Sequence, residues 1–87
     1  MENYEQEFLS DVLSAVSDWR CSYDDYYESD YSYNYYCIDI TFDDEDWQND
    51  FEIILDTIDR VCSQWHDARY DYRDNIFELA LVVGDIN

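Results

Sequence analysis

The sequence predicts an α+β domain: two helices packed on one face of a small three- to four-stranded antiparallel sheet, in the order α-β-β-α-(β)-β. Three observations predict it. Two separate segments repeat apolar residues at spacings of three and four, the helical period. The segments after each of them alternate with a period of two, the strand signature. Hydrophobic residues make up 47% of the 87-residue chain and aromatics 20%, enough for one core in a domain near the smallest size that a core can sustain. Placing both helices on one face of the sheet buries every apolar surface with two layers. The whole chain, 1–87, reads as a single domain, because its one Gly and absence of Pro leave no linker composition.

The first helix is expected over about Asn3 to Trp19, where Tyr4, Phe8, Val12, Ala15, Val16 and Trp19 share a stripe. Glu2, Glu5, Glu7 and Asp11 lie toward its start and Arg20 near its end, as the helix dipole favours. A short strand over Cys21 to Tyr27 follows, turning through Glu28-Ser29-Asp30. The next strand is clearer: Tyr36, Ile38, Ile40 and Phe42 line one face, while Cys37, Asp39 and Thr41 line the other. The second helix is expected over about Glu45 to His66, with Trp47, Phe51, Ile54, Leu55, Ile58, Val61, Cys62 and Trp65 as its stripe and an N-cap from Thr41 through Asp44. Arg69 to Tyr72, a polar Arg73-Asp74-Asn75 turn and a final strand, Ile76 to Val83, complete the chain. That last strand is apolar on both faces, which predicts a central place in the sheet.

Charge is the feature that bears on function. The chain holds 23 Asp+Glu against four Arg and no Lys, a formal charge of -19. Thirteen of the carboxylates fall between Arg20 and Arg60, with no positive side chain among them. Such self-repulsion opposes compaction, and solubility needs only a net charge of roughly 2 to 8 in magnitude. The surplus points to a cationic partner surface, and the commonest such surfaces bind nucleic acid. Three acidic segments are the candidate contacts. Asp24, Asp25, Glu28 and Asp30 surround the expected hairpin. Asp43, Asp44, Glu45 and Asp46 precede the second helix. Asp50, Glu52, Asp56 and Asp59 lie on its polar face, the last three along one flank. Axial steps of about 4.5–6 Å on that flank compare with about 3.4 Å per phosphate along one DNA strand. Like charges at these spacings cost about 0.2–0.5 kcal/mol per pair on a helix, so a mixed face would be more stable. Seven tyrosines fall within Tyr23–Tyr36, more than one small sheet can bury. Tyr26 and Tyr27 are candidate packing anchors, since exposed Tyr supplies rigid contact area and a ring for cations. Trp47, Phe51, Ile54, Ile58 and Trp65 are expected to be structural.

Other chemistries fit less well. Cys62 and His66 are four apart, but no C-x-x-C pair accompanies them and Cys62 lies in the apolar stripe, so no zinc site is expected. An EF-hand loop starting at Asp44 would need Gly at Asn49 and Glu at Leu55. A lone His66, with no Gly-rich loop and an open acidic face, gives no catalytic constellation. The expectation is a non-enzyme with no cofactor. No apolar run is long enough to span a bilayer, and the first residues lack a signal-peptide pattern, so a cytoplasmic location and reduced thiols are expected.

In size, extreme acidity, lack of Lys and α+β outline, the chain resembles the small acidic DNA-mimic inhibitors of phages and mobile elements, the anti-CRISPR and anti-restriction proteins. The resemblance is one of composition along the whole chain, with no shared motif. It implies a stoichiometric blocker of the DNA-binding or PAM-reading site of a CRISPR–Cas effector, acting as monomer or homodimer without binding nucleic acid itself. Such sites hold DNA through Arg and Lys, which carboxylates pair with bidentately. The alternatives are an anti-restriction protein, or an immunity protein or antitoxin that caps a basic nuclease.

Overall fold

The computed structural model describes residues 3–85. The chain folds as α1 (Asn3–Ala15), β1 (Cys21–Ser29), β2 (Tyr33–Phe42), a 3₁₀ turn (Trp47–Asp50), α2 (Phe51–Ser63), β3 (Ala68–Arg73) and β4 (Ile76–Asp85). The four strands form one antiparallel sheet in the order β1-β2-β4-β3. The α+β architecture and the central position of the last strand are as the sequence predicts. The second half supplies two strands, so the sheet has four.

Register fixes which side chains share a face. Cys21, Tyr23, Asp25 and Tyr27 stand opposite Phe42, Ile40, Ile38 and Tyr36. Ile40, Ile38 and Tyr36 stand opposite Phe77, Leu79 and Leu81. Those in turn meet Tyr72, Tyr70 and Ala68. This is the face that the helices cover. Phe8, Val12 and Val16 come down from the α1 segment, and Ile54, Ile58, Val61 and Cys62 from α2, to close the core over Tyr36, Ile38, Ile40, Phe42, Phe77, Leu79 and Leu81. The segment just after α2 is tied to α1 by the Trp65 indole N–H donating to Asp11 Oδ2 at 3.0 Å, beside an edge-on contact of Phe8 with Trp65.

Several boundaries differ from the periodic pattern, for local reasons. α1 stops at Ala15 rather than Trp19, because the Trp19 N–H turns back to the Val16 carbonyl in a tighter closure, and Ser17 and Asp18 favour turns over helix interiors. β1 runs on through Glu28 and Ser29, and the turn falls at Asp30–Ser32. There the Asp30 carboxylate accepts the Ser32 and Tyr33 N–H groups at 2.8 Å each, a side-chain-stabilised turn. α2 begins at Phe51 after a 3₁₀ turn and ends at Ser63. The expected N-cap from Thr41 through Asp44 does not form. Asp46 and Asp50 hold the cap positions without a side-chain bond, and Asp44 instead accepts the Asp46 N–H at 3.0 Å. Asp74, at φ 54, makes the tight β3–β4 turn, a left-handed conformation that Asp tolerates well.

Candidate acidic interface

The second face of the sheet carries no helix, and its composition follows from the same register. Asp24 of β1 stands opposite Asp39 of β2, Asp39 opposite Glu78 of β4, and Glu78 opposite Asp71 of β3. Each strand thus contributes one carboxylate to a continuous row across the sheet. At about 4.8 Å between strands, the row spans about 14 Å. Like charges directly opposite each other on paired strands are destabilising, and here three such pairs occur in succession. Glu28 lies on the same face, four residues along β1 from Asp24, and extends the acid patch toward the hairpin.

Beside the row lies a shallow groove of about 420 Å³, lined by Tyr26, Glu28, Cys37, Arg69, Asp71 and Glu78 among others. Tyr26 spans part of it, its hydroxyl donating to Asp39 Oδ1 at 3.1 Å. Burial, then the charge of Asp39, pushes the Tyr26 phenol well above its usual pKa. Arg69 lies over the Tyr35 ring, its guanidinium carbon 4.7 Å from the centroid. By strand alternation Arg69 and Arg73 flank Asp71 on this face, so the row is less negative at β3 and most negative over β1, β2 and β4. Among the described residues, no Arg lies within 4.0 Å of a carboxylate; the closest ionic contact is His66 Nε2 to Asp67 at 3.9 Å.

In place of basic residues, neutral donors hold many of the acids. Tyr36, fully buried, donates to Asp25 Oδ2 at 2.8 Å, and Tyr27 donates to Glu5, itself a buried residue of α1. Tyr35 donates to Asp30 Oδ2 at 2.7 Å, and Tyr70 to Asp59 Oδ1 at 3.2 Å. The bond to Glu5, aided by burial, raises the Tyr27 phenol to about 12. Burial, then the Asp25 bond, raises that of Tyr36. The Ser32 N–H, the Tyr35 hydroxyl and the Tyr33 N–H together hold the Asp30 carboxyl below its usual range. Much of the tyrosine in β1 and β2 therefore has a structural use within the fold.

The three acidic segments named from sequence take separate places. Asp24 and Glu28 lie on the open face. Asp25 lies on the helix-covered face, toward the edge that α1 leaves exposed, as does Tyr27. Asp30 sits in the β1–β2 turn, and Asp43, Asp44, Glu45 and Asp46 lie beyond the opposite end of β2. The ten residues of β2, at about 3.4 Å each, put roughly 30 Å between these two clusters. Asp50 stands at the start of α2, and Glu52, Asp56 and Asp59 line a second shallow groove with Leu55 and Tyr70 along the β3 side. The structure thus unites Asp24 and Glu28 with three acids absent from the sequence candidates: Asp39, Asp71 and Glu78. The available signal was the alternation Cys37-Asp39-Thr41 and the isolated Glu78 inside an apolar strand.

The cysteines do not form a cluster. Cys37 and Cys62 are buried, Cys21 is half-buried, and the His66 side chain projects into solvent. Burial pushes both the Cys37 and Cys62 thiols up to about 11, with help from Glu28 at Cys37 and Asp59 at Cys62. Among the described residues no group of three or more His, Cys, Asp or Glu is arranged to hold a metal ion. Among the described residues no helix is long and apolar enough to cross a membrane.

No protein-family model matches the chain. No curated protein matches it in sequence.

Proposed function

We propose that this protein is a DNA-mimic inhibitor. It binds stoichiometrically to the cationic DNA-binding or PAM-reading site of a CRISPR–Cas effector and excludes the nucleic acid. The observation that carries the reading is the row Asp24–Asp39–Glu78–Asp71. A sheet that sets four carboxylates in register opposes like charges at a cost in stability, which supports a surface that serves a partner. Its spacing of about 4.8 Å is of the order of the charge spacing along one DNA strand. A site that grips phosphates and guanine edges through Arg can grip carboxylates through the same guanidinium groups. Desolvated rings beside the row, Tyr26 foremost, add contact area for those groups.

The test is competition. The protein is incubated with guide-loaded effectors, and binding of a PAM-bearing duplex is followed. Inhibition should saturate at a fixed stoichiometry, be relieved by excess duplex added first, and weaken steeply with salt, since the attraction is screened within about 8–10 Å at 0.1–0.15 M. Two variants locate the contact. Asp24→Asn, Asp39→Asn and Glu78→Gln together should abolish inhibition if the open face docks. Asp43→Lys, Asp44→Lys and Asp46→Lys together should do so if the loop before α2 docks. Retained inhibition in both, with the fold intact by circular dichroism, refutes the mimicry reading.

A further inference from the structure

At the end of the molecule where α2 starts, three aromatic rings surround a cleft that none of the foregoing uses. It has a volume of about 370 Å³ and is lined by Trp47, Gln48, Phe51, Tyr72 and Asp74. Phe51 forms the floor. Its ring centroid is 5.6 Å from that of Trp47 and 5.3 Å from that of Tyr72, and both walls are steeply inclined to it, at 66° and 69°. Behind Phe51, the fully buried Phe77 is stacked at 6.0 Å and 25°, so the floor is backed by the core. The rim is fixed as well. Asp74 sits in the left-handed turn, and its neighbour Asn75 is bound to the end of β2 in both directions: Asn75 Nδ2 donates to the Phe42 carbonyl at 2.9 Å, and the Phe42 N–H donates to the Asn75 carbonyl at 2.9 Å. The sequence predicts a structural role for Trp47 and Phe51, and both pack against the core, yet both are only half-buried, and Tyr72 is 45% exposed.

Aromatic walls with a carboxylate at the rim suit one kind of guest, an organic cation. The quadrupole of each ring draws positive charge to its face, more strongly where water is excluded. The flanking chain strengthens the preference, since Asp44, Glu45, Asp46 and Asp50 lie in the loop and 3₁₀ turn that carry Trp47. Arg73 is the nearest basic residue in sequence, but strand alternation directs it to the opposite face from Tyr72. We infer that this cleft receives an arginine side chain of the basic partner. Guanidinium is the choice over ammonium because it is planar, stacks on rings and is more weakly hydrated. The protein already makes one such contact internally, Arg69 over Tyr35. Assigning the arginine to a protein partner rests on the function proposed above, whereas the selectivity of the cleft for a planar cation does not.

The experiment uses the full chain alone. N-acetyl-arginine methylamide is titrated in 0.5 M salt, which screens diffuse attraction to the acidic surface, and the indole N–H signals of Trp19, Trp47 and Trp65 are followed by NMR. Saturable movement confined to Trp47 is expected, with the neutral citrulline analogue about tenfold weaker and the lysine analogue weaker than arginine. Trp47→Ala, followed at the Asp74 backbone amide, should reduce affinity at least about fivefold, the equivalent of one exposed cation–π contact of about 1 kcal/mol. Tyr72→Leu, which keeps apolar bulk in the strand, should do the same and guards against misfolding of the Trp47 variant. Equal binding of citrulline, equal movement at Trp19 and Trp65, or an unchanged affinity in Tyr72→Leu overturns the assignment. Arginine binding by a protein that blocks no nuclease would leave the cleft standing and remove the DNA-mimic reading. Inhibition of an effector without any response at Trp47 would do the reverse.

Discussion

Replacing Asp39 with Asn is the sharpest probe of the carboxylate row. Asp39, like Glu78, faces a like charge on both sides of its own strand, in its case Asp24 on β1 and Glu78 on β4. Removing its charge relieves two opposed pairs, each worth about 0.2–1 kcal/mol, for a gain of about 0.4–2 kcal/mol. Asn keeps an oxygen in place to accept the Tyr26 hydroxyl, so the variant isolates charge from hydrogen bonding. In a domain of this size each kcal/mol moves Tm by about 4–8 °C. The assay is thermal and urea unfolding at about 10 mM and 1 M salt. The gain should be largest at low salt, where screening reaches about 30 Å, and shrink at 1 M, where it reaches about 3 Å, less than the strand spacing. The same variant should bind its cationic target more weakly. A destabilised Asp39→Asn, or a gain that ignores salt, would refute the argument that the row is held at an electrostatic cost.

Tyr36→Phe should destabilise the fold by about 1 kcal/mol in urea with an unchanged slope, because Asp25 is exposed and water replaces the lost donor. Stability should fall on the alkaline side. A thiol whose pKa is raised by folding stabilises fully below its ordinary value of 9.0 and loses that contribution as pH rises through about 11, as for Cys37 and Cys62. The urea midpoint should therefore drop between pH 9 and 11, and Cys62→Val should flatten the drop. At pH 8 a disulfide-exchange reagent should label Cys37 and Cys62 slowly in the native state and rapidly after unfolding. Under the proposed function, association with the effector should slow by orders of magnitude between low and physiological salt, with a smaller change in dissociation, as steering predicts.

The elements that follow a local period were legible. Ile54, Ile58, Val61 and Cys62 mark the buried stripe of α2, Tyr36, Ile38, Ile40 and Phe42 mark one face of β2, and apolar residues on both faces place β4 inside the sheet. What escaped depends on contacts between distant segments. Asp24, Asp39, Asp71 and Glu78 align only once the pairing register of four strands is set, and a slip of one residue would send each to the other face. The acidic runs 24–30 and 43–46 were conspicuous because they are contiguous, yet contiguity along a strand alternates faces, and β2 holds the two runs apart. The partners of Glu5 and Asp59, Tyr27 and Tyr70, are likewise invisible until the fold brings them together. The C-terminal end of α1 and the start of α2 depart from the periodic pattern because Ser17, Asp18 and the 47–50 segment prefer tight turns despite matching the helical period.

The phenol–carboxylate bonds have a consequence for the whole molecule. A lysine or arginine in the place of Tyr26, Tyr27 or Tyr70 would also pair with its acid, but each would erase one unit of the outward field. A hydroxyl donor positions the oxygen and leaves the charge intact. Five carboxylates, Glu5, Asp25, Asp30, Asp39 and Asp59, are thus held in place without any loss of negative charge.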